Sequence, residues 1–82
     1  MSTRDRIRQF IVDTFFVDGF ADDESFLLSG IIDSTGMMEL VLFLEEEFYI
    51  KVHDADLVPE NLDSLAKAAG FVGRKLLAAD AA

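Results

Sequence analysis

Residues 33–48, from Asp33 to Phe48, read DSTGMMELVLFLEEEF and follow the apolar pair Ile31-Ile32. Within them Met37, Leu40, Val41, Leu44 and Phe48 recur at i, i+3, i+4, i+7 and i+11, the spacing of one helix face. The pattern starts directly after Asp33-Ser34, two residue types that cap helix N-termini, and predicts a helix from Ser34 to Tyr49. Ser34 then stands where unpaired backbone N–H groups and the positive end of the helix dipole favour a phosphate ester on its hydroxyl. For an arbitrary Asp-Ser before an apolar run, simple capping is the commoner reading.

A second face of the same helix carries Met38 and Leu42, bordered by Glu39, Glu45 and Glu46. A mixed acidic and apolar strip beside Ser34 suits the recognition of partner proteins. As metal ligands Glu45, Glu46 and Glu47 are poor candidates, because consecutive helical residues point about 100° apart and do not converge on one ion. No metal site is expected.

Helical spacing also organises the rest of the chain. Ser2, with Asp5 three residues on, makes a capping arrangement for a first helix from Thr3 to Phe16, whose stripe is Ile7, Phe10, Ile11 and Phe15. Gly19 is the expected turning point. A long connection, 17–32, carries Phe20, Phe26, Leu27, Leu28, Ile31 and Ile32, several of which should pin it to the helices and so present Ser34 from an ordered base. After Lys51-Val52-His53 a short helical turn is expected over Asp54–Val58, interrupted by Pro59. Asp63 is the expected cap of a last helix from Ser64 to Leu77, closed onto the core by Leu62, Leu65, Ala68, Ala69, Val72 and Leu76. Gly70 and Gly73 each cost about 1 kcal/mol relative to alanine inside a helix, which predicts a loose C-terminal half and a frayed tail over Ala78–Ala82. The fold class is therefore all-α, a small four-helix bundle of three main helices and one short one, as a single domain over 1–82.

The chain has 82 residues and no cysteine, so it folds on packing alone and supplies no thiol of its own. Its net charge is −9, and ten of its sixteen acids fall between Arg8 and Lys51, an interval without Lys or Arg. Ser34 lies inside that negative stretch, which steers basic partner surfaces toward it and argues against nucleic-acid binding. Arg4, Arg6, Arg8, Arg74 and Lys75 read as solvated helix faces, the last two near enough to a helix C-terminus for a small dipole interaction. The apolar runs are too short to cross a bilayer, and Met1–Arg6 lacks the apolar stretch of a signal peptide, so a cytoplasmic protein with no membrane partner is expected. His53, the single histidine, reads as an exposed turn residue. With no marked third group to orient it and no nucleophile-elbow glycines around Ser34, catalysis by the chain itself is not expected.

From Asp33 the sequence resembles the acyl carrier protein family, in Asp33, Ser34, Glu39, Leu40, Val41, Leu44, Glu45, Glu46, Glu47 and Phe48 and in the acidic turn that follows. The likeness spans most of the chain. It implies that Ser34 receives 4'-phosphopantetheine from coenzyme A through a phosphopantetheinyl transferase, with Asp33 as the adjacent motif residue. The thiol of that arm would carry an acyl group as a thioester between an acyl or aminoacyl ligase or transferase and downstream biosynthetic enzymes with basic docking surfaces. It further implies a monomer that is recognised through Thr35, Met38, Glu39, Leu42, Glu45 and Glu46. Thr35 stands where fatty-acid carriers commonly have leucine, and Gly36 where an acid is often found. Both positions are expected on the partner-facing surface, which points to a specialised carrier rather than the general one of fatty acid biosynthesis. An aminoacyl or peptidyl carrier with the same attachment chemistry, and a helical adaptor that is never modified, remain open as alternatives. Phe43, one of eight phenylalanines, is expected to fill interior space and to disfavour a long acyl chain threaded among Leu40, Leu44 and Phe71.

Overall fold

A computed structural model describes residues 1–81. Among them are five α-helices and no strand: α1 (Thr3–Phe15), α2 (Phe26–Ser29), α3 (Ser34–Phe48), α4 (Pro59–Leu62) and α5 (Leu65–Ala81), with a 3-10 turn at Asp54–Asp56. The all-helical bundle with three long helices is as the sequence pattern predicts. α1 opens on the expected capping box, in which Ser2 Oγ accepts the Asp5 N–H at 3.1 Å and Asp5 Oδ2 takes the Ser2 N–H. One core joins the long helices, with Ile7 and Ile11 from α1, Leu40, Val41, Leu44 and Phe48 from α3, and Leu65, Ala68, Phe71 and Val72 from α5 all buried.

α1 and α3 run antiparallel. Arg6, near the start of α1, pairs with Glu47, near the end of α3, at 3.0 Å. Phe10 and Phe43 stack midway with centroids 4.1 Å apart and planes 13° from parallel. At the other end the Phe15 ring lies over Gly36. Stacked and edge-on rings of this kind add to the burial of their apolar area.

Several local expectations are corrected. α1 ends one residue earlier than predicted, with Phe16 rather than Gly19 in the left-handed region, at φ 56°, and α3 ends the same way at Tyr49, φ 55°. The connection 17–32 contains α2, capped by Ser25, whose hydroxyl accepts the Leu28 N–H at 3.1 Å, and closed by Gly30 at φ 81°. Of its apolar residues, Phe26 and Ile32 are buried and Phe20 and Ile31 pack against the core, but Leu28 is 91% exposed. Pro59 does not interrupt a helical turn but begins α4, where its missing N–H has no helical partner to lose. Asp63 is not the cap of α5: Ser64 is, its hydroxyl accepting the Lys67 N–H at 3.1 Å. Leu76 is 37% exposed and does not close the core. α5 continues past Leu77 through the expected tail as far as Ala81; Ala82 lies outside the described residues.

The basic residues are not free solvated faces. Arg4 and Arg8 both pair with Asp22, Arg8 also donates to the Phe20 carbonyl at 2.9 Å, and the Ala66 N–H donates to the Asp22 carbonyl at 2.8 Å. The connection is thereby tied to α1 and to the start of α5. Each exposed ion pair is worth at most about 1 kcal/mol, but together they fix the path of a segment with few buried side chains.

Candidate functional site

Asp33 is the N-cap of α3. Its backbone is extended, φ −90° and ψ −177°, and its Oδ1 accepts the Gly36 N–H at 2.7 Å. Ser34 is thus the first helical residue, and it is exposed. With the Gly36 amide taken by Asp33, the amides of Ser34 and Thr35 are the ones left at the helix mouth without an intrahelical acceptor. Ser34 therefore stands at the positive end of a 15-residue helix.

The proposed recognition residues follow one stripe. Thr35, Met38, Glu39, Leu42 and Glu46 are all exposed, at i, i+3, i+4, i+7 and i+11 from Thr35, and Met38 and Leu42 are each 56% exposed. Glu45 sits differently. It is half-buried, and its Oε2 accepts the Val52 N–H at 2.9 Å, which closes the chain after α3. Gly36 is not on the partner-facing surface: it is buried, and a Cβ there would stand 2.7 Å from Phe15 Cε1 and 3.0 Å from Ile32 Cγ2. The glycine permits Phe15 to reach the first turn of α3. His53 is exposed at the start of the 3-10 turn, its N–H donating to Asp56 Oδ2 at 2.9 Å.

Compared with protein-family models and with curated proteins, the chain matches none.

Beside Ser34 the structure holds a feature that hydrophobic periodicity does not reveal, a cavity of about 190 Å³. One wall is Ser34, Met37 and Met38 of α3, with Leu27 of α2; the other is Leu57, Val58, Pro59, Leu62 and Asp63. Asp63 is the one ionisable group lining it, and its carboxylate is committed, taking the Leu27 N–H at 3.0 Å and the Ser25 hydroxyl at 2.5 Å. Ser34 therefore has an apolar recess beside it. The signal in the sequence is the Leu57-Val58-Pro59 run, an apolar stretch made unable to extend the preceding helical turn by its proline. No helix among the described residues is long and apolar enough to cross a membrane.

Proposed function

We propose that the protein is an acyl carrier. Ser34 Oγ forms the ester bond to 4'-phosphopantetheine, its proton leaving to a transferase base and adenosine 3',5'-bisphosphate departing from coenzyme A. When bound, the arm supplies a thiol that holds an acyl group as a thioester while other enzymes act on it. The observation that carries this reading is the exposed hydroxyl on the first residue of α3, backed by free backbone amides and flanked by an apolar cavity. Asp33 fixes the helix mouth through Gly36, and the stripe Thr35, Met38, Glu39, Leu42 and Glu46 offers partners an acidic rim with an apolar centre. The chain itself holds and orients; chemistry on the cargo belongs to the partners.

Intact mass tests the attachment. After incubation with coenzyme A and a broad-specificity phosphopantetheinyl transferase, the protein should gain one phosphopantetheinyl group and Ser34→Ala none. No gain by a folded protein points instead to an adaptor that works by binding alone. With a cognate partner in hand, Glu39→Lys or Glu46→Lys should slow transfer about tenfold at low salt, with the difference shrinking as salt rises. Unchanged rates would remove the acidic rim from the account.

A further inference from the structure

Residues 17–25 are all exposed or half-buried, yet Phe26, which follows them, is fully buried. The segment is placed from outside. Arg8 of α1 grips it with one guanidinium: Nη1 donates to the Phe20 carbonyl at 2.9 Å, Nη2 pairs with Asp22 Oδ1, and Cζ lies 4.9 Å from the centre of the Phe20 ring. A planar guanidinium serves a carbonyl, a carboxylate and a ring face at once, which an ammonium cannot do. Residues 21–24 close on themselves, the Ala21 N–H donating to Glu24 Oε1 and the Glu24 N–H to the Ala21 carbonyl, each at 3.2 Å. This small turn therefore moves as a unit with whatever holds Phe20 and Asp22.

From Phe20 a line of contacts runs to Ser34. The Phe20 ring meets Phe26 edge-on, with centroids 5.7 Å apart. The Phe26 carbonyl accepts the Ile32 N–H at 3.2 Å. Ile32 is 1% exposed, and its Cγ2 comes within 3.0 Å of the place a Cβ on Gly36 would take. The Gly36 N–H is the one that Asp33 Oδ1 holds at 2.7 Å, so Ile32 and Gly36 enclose Asp33 and Ser34 in sequence and meet in space. Local opening starts where few side chains are buried, which here is the segment that Arg8 grips. We propose that Arg8 is a positioning residue for Ser34: through Phe20, Phe26 and Ile32 it holds the turn from which the hydroxyl is presented to a modifying enzyme. That Ser34 is modified rests on the carrier reading; the hold on the turn does not.

Amide hydrogen exchange and amide chemical shifts on the full, unmodified chain test the hold, with Arg8→Met as the variant and Arg4→Met as its control. Arg4 pairs with the other oxygen of Asp22, at 2.7 Å, so it shares the carboxylate with Arg8 but not Phe20. In Arg8→Met the Ile32 and Gly36 amides should exchange about tenfold faster, as the loss of a charge-assisted hydrogen bond dictates, and the Ser34 and Gly36 resonances should move. The Val52 amide, held by Glu45 at the other end of α3, should keep its rate and its shift. Arg4→Met should leave all of these signals in place. Unchanged exchange at Ile32 and Gly36 overturns the proposal, and so does an equal rise at Val52, which would report a general loss of stability. Phe20→Leu should speed the same two amides, and combining it with Arg8→Met should add nothing further; effects that multiply overturn the route through Phe20. Loading by a broad-specificity transferase with coenzyme A is read alongside, where kcat/KM should fall about twofold in Arg8→Met as the ordered turn becomes less populated. Failure of the unaltered protein to load sinks the carrier reading alone, and loading of Arg8→Met at the full rate sinks the positioning of Ser34 alone.

Discussion

The two sides of α3 are built to different standards. Toward α1 it is packed to contact, with Phe10 stacked on Phe43, Phe43 edge-on to Phe48 at 6.0 Å, and Phe15 so close to the first turn that only glycine fits at position 36. Toward the 57–63 segment it leaves a cavity of about 190 Å³. Ser34 lies where the two meet. Close packing on one side holds the turn from which its hydroxyl is presented, and slack on the other leaves an apolar recess beside it. The carrier role proposed for Ser34 would use both.

Truncation on each side should break the molecule unequally. Leu44→Ala removes a fully buried side chain from the core and should lower stability by about 3 kcal/mol. Leu57→Ala, on the cavity wall and 40% exposed, should lower it by less than about 1 kcal/mol. Denaturant midpoints at constant slope measure both. Equal losses would show that the cavity wall is as well packed as the core, and the contrast would fail.

Gly36→Ala sharpens the same contrast from the packed side. In an ordinary helical position the change gains about 1 kcal/mol. Here the new Cβ meets Phe15 Cε1 at 2.7 Å, Ile32 Cγ2 at 3.0 Å and Asp33 Oδ1 at 3.2 Å, so overpacking should reverse the sign and destabilise by about 1–2 kcal/mol. In a Phe15→Ala background the closest of these contacts is gone, and most of that loss should disappear. A substitution that stabilises in both backgrounds would mean that α1 does not hold the Ser34 turn.

These positions also mark what the sequence discloses. The stripes of α1 and α3, the cap at Asp33 and the exposure of Ser34, Met38, Glu39, Leu42 and Glu46 follow from periodicity and from the chemistry of capping residues, both of which are local. What escapes is non-local. Gly36 reads as a surface position because the family that the sequence resembles often has an acid there, and it is buried by Phe15, which is twenty-one residues away. Asp63 reads as a helix cap by type, but its carboxylate is claimed by Ser25 and Leu27 across the fold, which leaves capping to Ser64. α2 is four residues long, too short for a period to show, although Ser25 and Gly30 are a cap and a stop at its ends. The arginines pair with Asp22 and Glu47, partners that only the tertiary path supplies.

Behind the cavity Asp56 pairs with Lys75 Nζ of α5 at 2.7 Å, and this pair gives a smaller effect with a distinctive pH profile. Asp56 is held below its ordinary value of 3.8, first by the hydrogen bond from Lys75 and then by the His53 N–H. A carboxylate whose folded pKa is depressed contributes stability that is present above its unfolded value and lost as pH falls through the folded one. The thermal midpoint of Asp56→Asn should therefore lie below that of the unaltered protein near neutrality, and the gap should close as pH drops below 3.8. A gap independent of pH would mean that packing, not charge, holds the wall.

The smallest effect concerns the ends of the two paired helices. Phe16 and Tyr49 are left-handed and 90% and 91% exposed, so each bears backbone strain without burying its ring. Glycine relieves that strain but loses more chain entropy on folding, and the two effects leave a net gain of about 0.5 kcal/mol at each site. Because the sites sit at opposite ends of the α1–α3 pair and share no partner, the gains in Phe16→Gly and Tyr49→Gly should add in the double variant. Denaturant midpoints that fall would show the rings to be packing in solution. Midpoints that rise together would mean that the aromatic rings at these two helix ends are there for something other than stability.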